Sequence, residues 1–244
     1  MFYKRKYLFL CFSLLLNLLF FTSKGQNHNA VINKLSEGLG NEESLKEARF
    51  IMFSCTSENH NETQGEHTYL YDWNTKKCRF EGKTEKGESL VALFNTRSNL
   101  GEVYINKKKT NSPDLLNSII QLFSEDSYFL FTPILIANQN IKSTVQESEI
   151  IDSKRYFVVR VDSPGAEFEY SRIYIDSQNG TISKWETFDN NNKKTHEFVI
   201  SKIKDVGGGL TLATKFTDKL GGSILQYPIV AALINIEAEK FKIP

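Results

Sequence analysis

Asp126-Ser-Tyr-Phe-Leu-Phe-Thr-Pro-Ile-Leu-Ile-Ala-Asn138 is the stretch on which the reading of this chain turns. It is too apolar for a surface loop, and Pro133 interrupts it too deeply for a strand. A segment so rich in Phe, Leu and Ile must bury itself, so it is read as the cover over one face of a curved sheet. Directly before it stands the strongest helix signal in the sequence. Ser112 is placed as N-cap, Pro113 at the first helical position and Asp114 in the first turn, followed by the apolar stripe Leu115, Leu116, Ile119, Ile120 and Phe123. Ser112–Asn138 is therefore the expected helical cover, with Phe129 and Phe131 pointing into the sheet beside Phe50, Trp73 and Phe157.

On the N-terminal side, Asn27 to Gly40 carries Val31, Leu35 and Leu39 at helical spacing and closes on glycine. Strands follow. Ala48 to Thr56 is apolar on both faces, and Glu66 to Trp73 alternates with His67, Tyr69, Tyr71 and Trp73 on one side. Cys78 to Glu81, Glu88 to Asn95 and Gly101 to Asn106 complete a first set, joined by short polar turns. On the C-terminal side the pattern resumes at Thr144 to Glu149, Arg155 to Asp162, Glu169 to Asp176 and Gly180 to Phe188. Thr195 to Lys202, Leu210 to Phe216 and a last strand around Pro228 to Ile236 complete it. Asn179-Gly180 is a two-residue hairpin signal, and Gly207-Gly208-Gly209 supplies positive φ. Short connections make all but the first and last strands sequential antiparallel neighbours. The fold class is β-rich α+β: a large curved antiparallel sheet, an incomplete β-barrel, covered by a few helices.

Residues 1–25 read as a secretory signal peptide. Lys4, Arg5 and Lys6 precede an apolar run from Tyr7 to Phe21, and Ser23-Lys24-Gly25 places small residues before Gln26. The run is shorter than the roughly 20 residues a membrane span needs, so no stable transmembrane anchor is expected. Cys11 lies inside the run rather than at its end, which argues against acylation there. The full chain of 244 residues has a formal charge of +1, and removing a leader with four basic residues and no acid leaves −3. That balance, with no basic stripe, makes nucleic acid an unsuitable partner. The remaining residues, 26–244, read as one domain, expected to be monomeric. Export permits a disulfide, but Cys55 and Cys78 fall at opposite ends of non-neighbouring strands and are expected to be free thiols.

Catalytic patterns are missing. The glycine runs lack phosphate-loop spacing and there is no Gly-x-Ser-x-Gly elbow. The four histidines (His28, His60, His67 and His196) are scattered. Glu58, His60, Glu62, Glu66 and His67 lack metal-ligand spacing and read as a solvated hairpin tip; no metal and no cofactor are expected. Glu167 and Glu169 read as a wet strand face. Aromatic residues, by contrast, recur in nearly every strand. A long antiparallel sheet with few helices has more apolar face than they can cover, so it curls and either closes tightly or leaves a cavity lined with side chains. The expected lining is Phe50, Tyr71, Trp73, Phe94, Phe129, Phe131, Phe157, Tyr174 and Trp185.

Several segments in the right order resemble the periplasmic lipoprotein carriers of the Lol pathway and exported relatives with the same half-barrel. These are Tyr71 to Gly82, the pair Ser89–Asn95 and Gly101–Asn106, Asp126–Pro133 with Asn138, Ile173–Glu186, and the Phe-x-x-Pro ending at Pro244. The resemblance spans most of residues 48–244. It implies a half-barrel under helices with an apolar cavity for acyl chains, and an arginine on the sheet that holds the cover shut, for which Arg79 is the nearest candidate. The expected function is that of an exported, non-enzymatic binding protein for a lipid or a lipoprotein acyl chain. The rival readings are an envelope accessory protein with a filled core and a secreted hydrolase.

Overall fold

The computed structural model describes residues 27–57, 67–163 and 168–242. The expected leader with its cleavage before Gln26, the Glu58–His60–Glu62 cluster, Glu66, Glu167 and Pro244 lie outside the described residues. The structure is mostly antiparallel sheet, 46% strand, with three helices and no closed barrel among the described residues.

Helix α1 (His28–Leu39) opens the fold. The Asn27 side chain caps it, and its apolar stripe of Val31, Ile32, Leu35 and Leu39 is buried. A short α2 (Glu42–Glu47) follows. The first strands are β1 (Phe50–Phe53), β2 (Thr56–Ser57), β3 (Thr68–Asp72), β4 (Lys77–Lys83), β5 (Ser89–Asn95), β6 (Leu100–Ile105) and β7 (Lys108–Thr110). Then comes α3 (Pro113–Ala137), a continuous helix that carries Pro133 inside it. Ser112 is its N-cap residue, but its hydroxyl makes no capping bond. The second set is β8 (Ser143–Val145), β9 (Glu149–Ile151), β10 (Lys154–Asp162), β11 (Tyr170–Asp176), β12 (Ile182–Phe188), β13 (Lys194–Gly207), β14 (Leu210–Asp218), β15 (Ile224–Gln226) and β16 (Val230–Leu233), closed by a 3₁₀ turn at Ala238–Phe241.

Seven strands pair in the order β16-β1-β3-β4-β5-β6-β7, and nine in the second sheet, β2-β15-β14-β13-β12-β11-β10-β8 with β9 also on β10. The two sheets are joined through the same pair of chain segments. β1 pairs with β16, Phe53 opposite Val230, and a few residues on β2 pairs with β15, Thr56 opposite Gln226. Between them the Ser54 N–H donates to the Ile229 carbonyl at 3.0 Å. Two strands thus bend together from one sheet into the other, and the sheets are halves of one curved surface creased at Ser54–Cys55 and Tyr227–Ile229. Pro228 sits in the crease, where a residue without an N–H costs the ladder least.

Strand alternation sets the two faces. Ile51, Phe53, Tyr69, Tyr71, Phe80, Phe94, Val159, Ile173, Trp185 and Phe216 belong to the core cluster on the concave side. Helix α3 lies in this trough, and α1 packs against it. Two glycines seat α1 on the second sheet. A Cβ on Gly38 would stand 2.1 Å from the Gly180 carbonyl oxygen, and one on Gly180, which has φ +75°, would meet the Lys34 carbonyl oxygen at 1.9 Å. Gly180 is thus fixed by φ and by contact. The turn around it closes through an Asp176 N–H to Thr181 carbonyl bond, with Asp176 accepting from Gln178 and Asn179. It is longer than the two-residue hairpin expected from Asn179-Gly180.

Candidate binding trough

The aromatic side chains under α3 divide between the two halves of the sheet. Towards the seven-stranded half, Phe131 meets Trp73 at 4.8 Å between ring centroids and Phe53 and Tyr71 at 5.4 Å each. Phe123 meets Tyr71 at 5.3 Å and Phe94 at 5.8 Å. Towards the nine-stranded half, Phe129 meets Trp185 at 4.9 Å, Phe198 at 5.0 Å and Phe216 at 5.4 Å. Phe157 packs against the same core, partly buried. Of the nine residues expected to line the hollow, seven therefore sit on this side: Tyr71, Trp73, Phe94, Phe129, Phe131, Phe157 and Trp185.

The other two face away. In β1, Ile51 and Phe53 point inward, so the period of two turns Phe50 outward, where it packs on Phe241 and under the Arg49 guanidinium. In β11, Ile173 and Ile175 point inward and Tyr174 outward. Its hydroxyl donates to Glu186 at 2.8 Å, and Lys184 lies over its ring. Arg79 is also on the outer face. It donates to the carbonyls of Lys240 and Lys242 and to Glu81, so it fastens the C-terminal turn and does not touch the helical cover.

What holds α3 to the sheet is a polar cluster absent from the sequence reading. Asp126 lies on the buried face of α3. One carboxylate oxygen accepts from the Tyr69 hydroxyl at 2.8 Å and lies 2.8 Å from His67 Nε2, while its carbonyl accepts from the Tyr227 hydroxyl at 2.8 Å. Burial, reinforced by the Asp126 charge, pushes the Tyr69 hydroxyl and the nearby Cys55 thiol far up; burial does the same to Tyr227. These groups stay protonated and donate. The sequence did hold a signal: Asp126 follows Phe123 by three and precedes Leu130 by four, on the inward stripe. On the opposite side, the Tyr128 hydroxyl bonds Ser163 and Ser171 at 2.7 and 3.1 Å.

The packing is incomplete in three respects. Trp185 Nε1 and Thr214 Oγ1 are buried without a hydrogen-bond partner among the described residues. A small, partly open recess of about 20 Å³ lies beside Phe129, Leu130, Pro133 and Leu212. Pro133 also removes the N–H that would bond the Phe129 carbonyl, weakening the helix there. A larger cleft of about 260 Å³ opens at the C-terminal end of α3, with Leu45, Ala48, Ile134 and Leu210 on its apolar side and Lys46, Arg49, Asn74 and Lys76 on its polar side; Trp73, Asn138 and Asn140 complete it. Cys55 and Cys78 are both buried and unbridged. No group of three His, Cys, Asp or Glu side chains able to hold a metal occurs among the described residues.

No protein family matches the chain by sequence, and no curated protein matches it either. Solved structures do. One is a DUF1329 family protein from Desulfovibrio piger, 8% identical, covering 88% of this chain and 96% of its own, with a TM-score of 0.49. A LolA superfamily protein from Nitrosomonas europaea is 11% identical over 86% of this chain and 96% of its own, with a TM-score of 0.46. The lipoprotein LppX of Mycobacterium tuberculosis is 11% identical over 86% and 99%, with a TM-score of 0.32. At such identities the likeness concerns the path of the chain alone.

Proposed function

We propose that the protein is an exported, non-enzymatic binding protein that takes an apolar chain, a lipid or a lipoprotein acyl chain, into the trough beside α3. The observation that carries this reading is the state of that helix. It is long and apolar enough to cross a membrane by length and composition, yet only 56% of its most apolar window is buried. Leu115, Leu116, Ile120, Leu122, Phe129 and Leu135 pack against the core but are only half-buried, so the flanks of the buried stripe stay partly open to a guest. The side turned away is polar, with Asp114, Asn117, Ser118, Gln121, Ser124 and Glu125 exposed, so a guest would enter at the flanks. The Lol-carrier motifs in the sequence point the same way. The His67–Asp126 pair is enclosed and committed to holding α3, which speaks against the hydrolase reading.

The close packing of rings around Phe131 favours the second reading, an accessory protein with a filled core. Native mass spectrometry of protein purified from its own envelope separates the two. A carried lipid adds its mass, whereas bare protein that also fails to take up a labelled fatty acid leaves the accessory reading standing. The same spectrum tests export with cleavage, which predicts a mature chain starting at Gln26; retention of Met1 refutes it.

A further inference from the structure

We propose that the cleft at the C-terminal end of α3 is a site for an oxyanion head group, a carboxylate or phosphate carried on an apolar tail. Two cationic side chains from separate segments, Arg49 before β1 and Lys76 in the β3–β4 turn, line it beside Lys46 of α2, and no carboxylate does among the described residues. Asp72, the acid that pairs with Arg49, is already spent on the architecture of the site. Its two oxygens hold Arg49 Nε and Nη2 at 3.2 and 2.8 Å and also accept the N–H groups of Asn74 and Thr75. One carboxylate thus fixes both the guanidinium and the turn that carries Lys76. Arg49 Nη1 has no partner among the described residues. The arginine side chain is 41% exposed, so an incoming anion can reach it.

The rest of the cleft suits a head with a tail. Asn138 and Asn140 offer amide donors at the rim. The carbonyls of Ile134, Leu135 and Ile136 at the end of α3 already accept from the N–H groups of Asn138, Asn140 and Gln139, so they do not oppose an anion with unpaired acceptors. Trp73 lies below, with Lys76 Nζ 5.1 Å from its ring, and leads directly to Phe131 and the apolar trough. Burial, and then the charge of Arg97, pull the Lys76 ammonium below its ordinary pKa, against the raising effect of Asp72. At about 260 Å³ the cleft lies just under the roughly 300–1,000 Å³ of ordinary ligand pockets. It takes a head and its first methylenes, leaving the tail to the trough. For the tail this inference rests on the binding function proposed above; for the head it does not.

The test is a set of sixteen-carbon probes that share a tail and differ in head: palmitate, hexadecyl phosphate and hexadecanol, with butyl phosphate as a head without a tail. Binding is followed by tryptophan fluorescence, to which Trp73 in the cleft wall contributes. The expected result is binding of palmitate or hexadecyl phosphate at least about tenfold tighter than hexadecanol, the gain of one charge-assisted hydrogen bond. Whichever anion binds tighter distinguishes a fatty acid from a phospholipid source. Lys76→Gln and Arg49→Gln should each erase most of that gain while leaving hexadecanol unchanged, and added salt should weaken only the anions. Lys76→Gln carries the test should loss of the Asp72 pair unfold Arg49→Gln. Equal binding of all three long probes overturns the head site and leaves the carrier reading standing. Butyl phosphate binding without any long probe keeps the head site and removes the carrier reading. No binding of any probe removes both.

Discussion

Phe129 and Phe131 are two residues apart on one helix, and the structure assigns them opposite consequences. Phe131 is 5% exposed and surrounded by Phe53, Tyr71, Trp73 and Phe123. Phe131→Ala leaves a cavity among rings that cannot collapse into it, so it should cost about 3–5 kcal/mol. At about 2–4 °C per kcal/mol for a domain of this size, the melting midpoint falls by roughly 6–20 °C. Phe129 is half-buried, so Phe129→Ala forfeits only part of the transfer term, plus about 0.5–1.5 kcal/mol for its ring contacts; a total of about 1.5–3 kcal/mol is expected. Binding should run the other way. If the guest lies between α3 and the nine-stranded half, truncating Phe129 weakens a fluorescent fatty acid at least fivefold, while Phe131→Ala changes it less than twofold once measured where both variants are folded. Urea titration gives the stabilities and probe titration the affinities. Loss of binding in Phe131→Ala with none in Phe129→Ala would refute this placement of the guest.

Thr214→Val removes a buried hydroxyl that has no partner among the described residues and keeps its shape, so stability should hold or rise by about 1 kcal/mol in urea. The protein should lose stability in acid. Burial raises the Asp72 carboxyl, but Arg49 and the turn N–H groups outweigh it and hold it at about 2. Glu186, with Lys194, Tyr174 and Lys184, and Asp218, with His196 and backbone N–H groups, are also drawn below the usual range against the opposing effect of burial. A folded pKa below the unfolded value of about 4 stabilises above that pH, and the contribution disappears as pH falls towards 2. Melting midpoints from pH 6 to 2 should show this loss, reduced in Asp72→Asn; an unchanged acid slope in that variant refutes the assignment. Both thiols should resist alkylation in the folded protein, since burial raises them, and both should label in denaturant without reductant. A disulfide in that experiment would contradict the register of β1 to β4.

The cover helix was legible because burial leaves a compositional trace. A segment as apolar as Ser112–Asn138 had one place to go, and Pro133 ruled out only a strand. The inward faces of β3 and β5 were legible for a similar reason, since Tyr71 and Phe94 stand in alternating runs. Phe50 could not be placed because Phe50-Ile-Met-Phe53 is apolar on both faces, which carries no phase. Tyr174 misleads in another way: its ring and hydroxyl suit an outer face where Glu186 and Lys184 enclose it as well as they suit a core. The crease was not legible. It depends on β1 meeting β16 and β2 meeting β15 across some 170 residues, and nothing local at Ser54 or Pro228 encodes a partner that distant. Arg79 carried a role by resemblance, but its position in β4 turns it to the convex side.

The crease and the Asp126 cluster lie at the same place, and this has a mechanical consequence. Points on a rotation axis do not travel, while the ends of the two arms do. If the trough widens by flexing along Ser54–Cys55 and Tyr227–Ile229, the free edges at β7 and β8 sweep the greatest distance. The bonds from Tyr69 and Tyr227 to Asp126 sit near the pivot, where separation changes least. Buried polar bonds tolerate little stretching, whereas ring contacts such as those of Phe129 can slide and re-form. The helix is therefore hung at its fulcrum, and the yielding contacts are distributed along the lever arms.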